Sequence, residues 1–353
     1  MLQAHLNLDP AHALHRRQSQ SGLTLVELLV SLVIGLIIVL AATSSYLGAS
    51  SASKLAEQQS RMNEDAQEAL TLLAQQIRMA GANPLQNYKN KSGDFRNPVY
   101  CATNTTDCPA RNAANTIFND AIDDDATLGF YVLRGCDGSF SNVKTANNLP
   151  TLTCVDAVTT QPDSIAITYE ADRYNTPASS GGLPTDCLGN TLTGGTAQVL
   201  DAATGAAKTS DTYYVADNRY FIGTSSAITA PSLYCKGSGN VNAQPLVENV
   251  EDLQLTYGVA DPSNTGNFAI AGYLDAYGLR HDNTKLASLS ETDRWKQVLA
   301  VRICVVIRSA DPVLPDSGSA RYVQCDGTVN TNPPDLRLRK AYSTTVLLRN
   351  RGG

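Results

Sequence analysis

One apolar segment near the start of the chain constrains its fold more than any other feature. Residues 23–42 are apolar except for Thr24, Ser31 and the single charged residue, Glu27. About twenty apolar residues are enough for one helix to cross the hydrocarbon core of a membrane. The preceding segment is polar and basic, with Arg16 and Arg17. We therefore expect the chain to be inserted in a membrane through residues 23–42.

The order of polar and apolar residues is the reverse of that in a secretory signal. An ordinary signal has an apolar core of about 7 to 15 residues followed by small residues, where cleavage removes the core. Here the polar part comes first, and the candidate cleavage residue, Gly22, precedes the apolar segment. Cleavage after Gly22 would leave the apolar helix on the mature protein.

The residues around Gly22 resemble the type IV prepilin family, which includes the pseudopilins of type II secretion. Residues 22–29 read Gly-Leu-Thr-Leu-Val-Glu-Leu-Leu, which is similar to the amino-terminal signature of that family. The resemblance implies that a membrane-embedded prepilin peptidase cuts after Gly22 and methylates the new amino terminus, Leu23. Residues 1–22 would then be a leader that the mature chain lacks.

Glu27 is the one charged residue of the apolar segment. A carboxylate inside a membrane helix is costly, so such residues are usually paired or functional. Cleavage would free the amine of Leu23, one helical turn from Glu27, and this amine or a neighbouring subunit's could neutralise the charge. The family resemblance implies a contact with an adjacent subunit during fibre assembly. The alternative is a plain signal anchor in which Glu27 reaches the membrane surface.

The residue pattern divides the mature chain into a long helix and a β-rich domain. Residues 23–52 are expected to form the transmembrane or fibre-core helix, and residues 53–83 to continue it as an amphipathic periplasmic helix. The apolar positions of the second part recur at spacings of three, four and seven: Leu55, Met62, Ala66, Ala69, Leu73 and Ile77. Gly81 and Pro84 predict its end. Residues 84–353 would form the globular domain.

Four segments of this domain predict strands. Residues 164–170, 252–259 and 297–308 alternate apolar and polar side chains, as half-buried strands do, and residues 341–348 are a further candidate. A large variable insertion, residues 87–245, holds long polar loops. We expect an α+β fold in which the amino-terminal helix packs on an antiparallel β-rich domain.

Eight cysteines, all beyond residue 100, indicate an oxidising compartment, and none has the CxxC spacing of zinc or thioredoxin sites. If Arg308 lay opposite Arg321 in a hairpin, antiparallel register would place Cys304 opposite Cys325. The other expected pairs join cysteines that are consecutive in the sequence: Cys101 with Cys108, Cys136 with Cys154, and Cys187 with Cys235. Free buried thiols are the alternative.

A more particular resemblance is to the PilW family of minor pilins. Four motifs carry it: RMAG at residues 78–81, LVENVEDLQLTYG at 246–258, Trp295 with the apolar segment that follows it, and LLRN at 347–350. The resemblance does not extend to residues 87–245.

This resemblance implies a structural subunit that primes type IV pilus assembly and sits at or near the pilus tip. The implied partners are other minor pilins, a tip adhesin, the inner-membrane assembly platform and the prepilin peptidase. Before assembly the chain would span the inner membrane once, with its carboxy-terminal domain in the periplasm, and afterwards it would lie at the cell surface. The alternatives are a minor pseudopilin of a type II secretion system and an adhesive module formed by residues 87–245.

The sequence gives little evidence for a catalytic site. Three of the four histidines precede Gly22, so the mature chain would keep His281 alone and could not build a site that needs two imidazoles. His281 lies in a polar segment without a nucleophile-elbow motif, and no phosphate-binding glycine loop is present. We expect no enzymatic activity and no cofactor.

Metal and nucleic-acid binding are also weakly indicated. The best calcium candidate is an acidic run whose spacing does not fit an EF-hand and whose alternative is a solvated loop: Asp120, Asp123, Asp124 and Asp125. The formal charge of −6, or −7 without the leader, repels phosphate, so we expect no nucleic acid as a partner. A local basic patch stays open as an exception: Arg337, Arg339, Lys340, Arg349 and Arg351.

Overall fold

The computed structural model describes the chain in several stretches: residues 22, 24–82, 95–96, 132–146, 149, 151–155, 161–200, 207–239, 242–261, 269–281, 284 and 286–348. The chain divides into two compact units, Met1–Lys54 and Leu55–Gly353. The first unit contains the apolar part of a long helix. The second contains the remainder of that helix and the β-sheets.

The helices are α1 (Leu25–Met79), α2 (Ala276–His281) and α3 (Glu291–Lys296). The strands are β1 (Phe95–Arg96), β2 (Leu133–Cys136), β3 (Ser164–Glu170), β4 (Gly194–Leu200), β5 (Ala207–Gly223), β6 (Ser232–Lys236), β7 (Gln244–Glu248), β8 (Val250–Ala260), β9 (Ile270–Leu274), β10 (Val298–Pro312), β11 (Tyr322–Val323), β12 (Val329–Asn330) and β13 (Arg337–Leu347).

The second part of α1 is amphipathic, as its spacing predicts. Its buried side chains are those of Gln58, Met62, Ala66, Ala69, Leu73, Ala74 and Ile77. After α1 the chain turns at Gly81, whose φ of 70° is the left-handed conformation typical of a helix end. The amide of Gly81 donates to the carbonyl of Thr168 in β3 at 2.9 Å. The end of the helix is therefore joined directly to the larger sheet.

The larger sheet has seven antiparallel strands. Its path is β1-β4-β5-β3-β2, and β6 extends it from β5 and in turn pairs with β7. The long strand β5 is the organising element, because it pairs with β4 through its first half and with β3 and β6 through its second. Most of this sheet comes from the segment that the sequence assigns to a variable insertion.

Strand β3 has the predicted bounds but is buried along its whole length rather than half-buried. On one face Tyr169 packs under α1, where its hydroxyl donates to the Gln76 amide oxygen at 3.3 Å. In the ladder Ala166 lies between Arg134 and Arg219. Arg134 donates to the carbonyl of residue 149 at 3.0 Å and Arg219 to that of residue 143 at 2.7 Å, so the segment after β2 covers the second face.

The smaller sheet has the order β13-β10-β8-β9, and all its pairs are antiparallel. The predicted strands at 252–259, 297–308 and 341–348 correspond to β8, β10 and β13, which confirms the α+β fold class. Trp295, which is fully buried, contacts Tyr257 of β8 edge to face, with ring centroids 5.0 Å apart. This aromatic pair fixes α3 against the sheet.

The predicted hairpin after β10 is wrong. Arg308 lies opposite Arg339 of β13 instead of Arg321, and the segment after Arg321 forms the small β11–β12 pair. The reason is ladder length: β10 is flanked along most of its course by β8 and β13, each of eleven residues. A two-residue strand cannot compete with either of them for backbone hydrogen bonds.

Candidate processing and assembly site

Gly22 is exposed just before α1, and Leu23 lies outside the described residues. A Cβ built on Gly22 meets no described atom within 4 Å. Packing among the described residues therefore does not demand glycine at this position. A requirement for glycine would come from a partner that binds the exposed segment, such as the peptidase predicted above.

Thr24 and Glu27 form a reciprocal cap at the start of α1. The amide and the hydroxyl of Thr24 donate to Oε2 of Glu27 at 2.9 and 3.0 Å. The amide of Glu27 donates back to the Thr24 hydroxyl at 3.3 Å. This is a capping box, which satisfies helix amides that have no partner within the helix. The spacing Thr-x-x-Glu predicts such a cap from the sequence. The sequence interpretation above considers Glu27 only for assembly and does not include Thr24.

The cap has an electrostatic consequence for assembly. Both bonds from Thr24 end on Oε2, and Oε1 of Glu27 accepts none from the described residues. The carboxylate lies in the first helical turn, where the helix dipole favours a negative charge. Glu27 is thus held in one place by Thr24 while one of its oxygens still faces outward. That geometry can receive an amine or another donor.

The first part of α1 exposes an apolar surface along its whole length. Its large apolar side chains are all more than half exposed: Leu25, Val26, Leu28, Leu29, Val30, Leu32, Val33, Ile34, Leu36, Ile37, Ile38, Val39, Leu40, Tyr46 and Leu47. Among the described residues α1 is the one helix long and apolar enough to cross a membrane. Apolar surface on this scale is costly in water, so the segment requires a bilayer or other apolar helices around it.

Three hydroxyl groups of this segment donate to carbonyls within the helix. Ser31 donates to the Leu28 carbonyl at 2.9 Å, and Thr43 donates to the Val39 carbonyl at 2.8 Å. Ser44 makes the same kind of bond at 2.9 Å. A polar group in hydrocarbon needs such an internal partner because water is absent there. The segment is therefore suited to an apolar environment in its polar residues as well.

Among the described residues, three disulfides stabilise the second unit. They are Cys136–Cys154, Cys187–Cys235 and Cys304–Cys325. The last pair is bonded although the hairpin used to argue for it does not exist. Cys304 lies opposite Ser343 and Gln254, and its side chain reaches Cys325 in the turn after β11. The expected pair Cys101 and Cys108 lies outside the described residues.

The other sequence candidates do not assemble into a site. His281 is exposed at the end of α2, stacked on Tyr277 with ring centroids 4.2 Å apart. The acidic run at residues 120–125 lies outside the described part of the chain. Within the described part, no three His, Cys, Asp or Glu side chains are placed to hold a metal ion.

The basic patch considered above is largely neutralised where the structure describes it. Arg339 has a fully buried side chain and binds Glu251 at 2.6 Å and Asp335 at 2.8 Å. Arg337 also pairs with Asp335, at 3.3 Å. Lys340 is exposed, and residues 349 and 351 lie outside the described range. These arginines hold elements of the sheet together and do not form a surface for phosphate.

Comparisons with known proteins match both ends of the chain. Residues 17–43 match the family model of the prokaryotic N-terminal methylation motif, and residues 219–350 match that of type IV pilus-assembly protein W. A comparison with curated proteins finds no match. The resemblance to PilW proteins and to the prepilin signature is confirmed by the two family models.

Among solved structures, the chain is similar to a type IV-like pilin from Thermus thermophilus. The identity is 14%, the match covers 55% of this chain and 81% of that pilin, and the TM-score is 0.21. A score this low carries no argument about the fold, which rests on the strands and helices described above. The chain carries the methylation motif of type IV prepilins at its start and a PilW-family region over residues 219–350.

Proposed function

We propose that the protein is a minor pilin, a structural subunit that primes type IV pilus assembly and takes its place at or near the pilus tip. The observation that carries the proposal is the junction at residues 22–27. There a methylation motif, residues 17–43, spans the candidate cleavage residue and the exposed apolar part of α1, whose only acid, Glu27, is held by Thr24. The PilW match over residues 219–350 supports the assignment to minor pilins. The proposed role involves no catalysis and no cofactor.

The proposed mechanism begins in the inner membrane. The peptidase cuts after Gly22 and methylates Leu23, and the helix of residues 23–42 stays in the bilayer with the second unit in the periplasm. When subunits join, the outward oxygen of Glu27 pairs with the amine of its own or a neighbouring chain. The apolar side chains of α1 then exchange lipid for the helices of other subunits, which keeps them out of water.

The second unit would provide the specificity of assembly. Its loops and sheet edges are the surfaces proposed to contact other minor pilins and a tip adhesin. Strand β13 is suited to this role because it is an edge of the smaller sheet and carries exposed Leu347. Contacts of this kind would select the neighbours of the subunit, whereas the apolar helix would suit any pilin.

Mass spectrometry of the amino-terminal peptide, in sheared surface fibres and in membranes, tests the proposal. We expect a peptide that begins at methylated Leu23 in the sheared fibres. Processed protein found only in membranes would favour a priming complex or a type II secretion pseudopilus over incorporation in a surface fibre. An intact leader in both fractions would refute cleavage after Gly22 and the proposal with it.

A further inference from the structure

A single residue, Asp163, joins the two sheets of the second unit. It directly precedes β3 of the larger sheet, and its amide donates to the Leu253 carbonyl in β8 of the smaller sheet at 2.7 Å. Its Oδ2 accepts the amide of Leu255 at 2.7 Å. Strand β9 covers this edge of β8 only from Tyr257 onward. Asp163 therefore occupies the place of a neighbouring strand where β9 ends.

The second oxygen of Asp163 completes this connection between the two sheets, which we call the joint, on the side of β2. Oδ1 accepts the amide of Gly138, in the turn that follows β2, at 3.1 Å. The hydroxyl of Ser164 donates to the Gly138 carbonyl at 2.9 Å and strengthens the same turn. The carboxyl group thus receives amides from both sheets, and it is only 2% exposed.

A second carboxyl group lies against the first. Asp137, 6% exposed, is hydrogen-bonded to Asp163 through its side chain. The groups that face the pair are Asp275, before α2, Arg280 on α2, and the hydroxyl of Tyr257 in β8. Two further carboxyl groups, those of Asp252 and Asp326, line the same cavity as Asp137. Apart from Arg280, none of these neighbours carries a positive charge that could offset two carboxylates.

Two adjacent buried carboxylates cannot both ionise at low cost. Burial raises the pKa of Asp163 to about 8, against the lowering effect of its two backbone hydrogen bonds. Burial also raises the pKa of Asp137. A proton between the two groups removes their repulsion and supplies the hydrogen that links them.

We propose that Asp137 and Asp163 form a proton-dependent latch between the two sheets. With one shared proton the joint is closed. Loss of that proton places two anions side by side in the interior and loosens the joint at Gly138 and Leu255. The latch belongs to the fold of the second unit, and it does not depend on the role in pilus assembly proposed above.

The sign of the pH effect follows from the direction of these shifts. The folded chain holds a proton that the unfolded chain releases near pH 4. The stabilisation that the shared proton gives the folded chain is therefore complete below about pH 4 and is lost as the pH rises toward about 8. Release of one proton raises the unfolding equilibrium constant by up to about tenfold per pH unit within this window.

The test uses the full chain in detergent micelles. Urea denaturation from pH 5 to pH 8 gives the change in the unfolding constant, and amide hydrogen exchange, corrected for its intrinsic pH dependence, reports on Gly138 and Leu255. We expect the wild type to lose stability toward pH 8, with faster corrected exchange at both amides. A wild-type stability that is flat or rises over this range, relative to the Asp163→Asn variant described below, overturns the proposal.

Asp163→Asn removes the titratable group, at the cost of replacing one oxygen that accepts a backbone amide by a nitrogen that cannot, and it should remove the pH dependence that the pair contributes. Asp316→Asn is the matched control, because Asp316 is exposed and its pKa is lowered by hydrogen bonds from Ser319. The control should keep the wild-type pH dependence. An Asp163→Asn variant that retains the full wild-type pH dependence contradicts the latch.

Infrared spectroscopy keeps the proposal testable if Asp163→Asn does not fold. A protonated carboxylic acid has a carbonyl band that a carboxylate lacks. We expect this band in the wild type at pH 6.5 and a weaker band in Asp137→Asn, whose remaining carboxyl group has lost its partner. A wild-type spectrum without any carboxylic acid band at pH 6.5 would show that the pair holds no proton.

Discussion

Glu27 combines a structural and an electrostatic role in one side chain. It caps α1 together with Thr24, and it places a negative charge in an otherwise apolar segment. The two roles can be separated, because glutamine keeps an oxygen that accepts hydrogen bonds and loses the charge. The same residue therefore gives a direct test of the charge in assembly.

We predict that Glu27→Gln inserts normally but lowers surface piliation as strongly as Glu27→Val or Glu27→Leu. The physical reason is that an amide cannot neutralise an amine, although it can still accept from Thr24. Immunoblots of sheared fibres, normalised to the level in membranes, measure the effect. Wild-type piliation in Glu27→Gln, with failure of Glu27→Val, would assign Glu27 to the cap alone. Wild-type piliation in all three variants would remove Glu27 from the mechanism.

Gly135 in β2 is a residue whose identity is set by a close steric contact. A Cβ at this position would contact the hydroxyl of Tyr257 and lie 2.8 Å from its ring carbon Cζ. Tyr257 is fully buried and is packed on Trp295, so it has little room to move. We predict that Gly135→Ala lowers the free energy of unfolding by about 1–3 kcal/mol.

Thermal unfolding of the full chain in detergent measures this change. Gly181→Ala is the matched control, since the nearest atom to a Cβ there is 3.9 Å away and its backbone is not left-handed. The control should unfold like the wild type. Equal stability of Gly135→Ala and Gly181→Ala would mean that Tyr257 moves freely.

At the scale of elements, β13 is tied to β8 through Arg339 as well as through the strand between them. The Arg339 guanidinium donates to both carboxylate oxygens of Glu251, in β8, at 2.6 and 3.2 Å. It also donates to Asp335 at 2.8 Å. Because the Arg339 side chain is fully buried, its removal would leave two carboxylates without their main partner.

We predict that Arg339→Met lowers the free energy of unfolding by about 1–3 kcal/mol, because the buried guanidinium loses its charged hydrogen bonds while the two carboxylates left behind are 25% and 34% exposed. Arg61→Met is the control, because the Arg61–Glu57 pair is about 60% exposed on both sides and contributes at most about 1 kcal/mol. Urea denaturation at neutral pH compares the two variants. A similar loss for both would contradict a structural role for the buried pair.

At the scale of the whole molecule, the chain separates at Lys54 into two compact units. The first exposes apolar side chains, and the second has its own core, which includes the buried face of α1 from Met62 to Ile77. The structure thus assigns the need for an apolar environment to the first unit.

We predict that a chain starting at Leu55 is soluble without detergent and folds, because it retains the complete buried face of α1. Size-exclusion chromatography and near-ultraviolet circular dichroism measure its oligomeric state and its packing. A chain starting at Leu25 is the control and should require detergent. Aggregation or loss of the near-ultraviolet signal in the shorter chain would show that the second unit depends on the first.

Local sequence patterns were enough to predict several parts of this protein. The apolar segment, the face of α1 from Met62 to Ile77, and the strands that became β3, β8 and β10 follow from periodicity, which is a property of neighbouring residues. The Thr-x-x-Glu cap is equally local and was available to the same reasoning. The amino-terminal motif is a contiguous stretch of residues, and its family model confirms it.

The tertiary structure decided what depends on residues far apart in the chain. The sequence by itself determined the membrane helix, the amphipathic helix and the strands, because each depends on side-chain spacing within one segment. It did not determine that β10 pairs with β13 rather than with residues 321–325, since that choice depends on the competition between ladders. Nor did it reveal that Asp163 joins β8 to β2, because a buried carboxyl group becomes recognisable only once folding has brought Gly138, Leu255 and Asp137 around it.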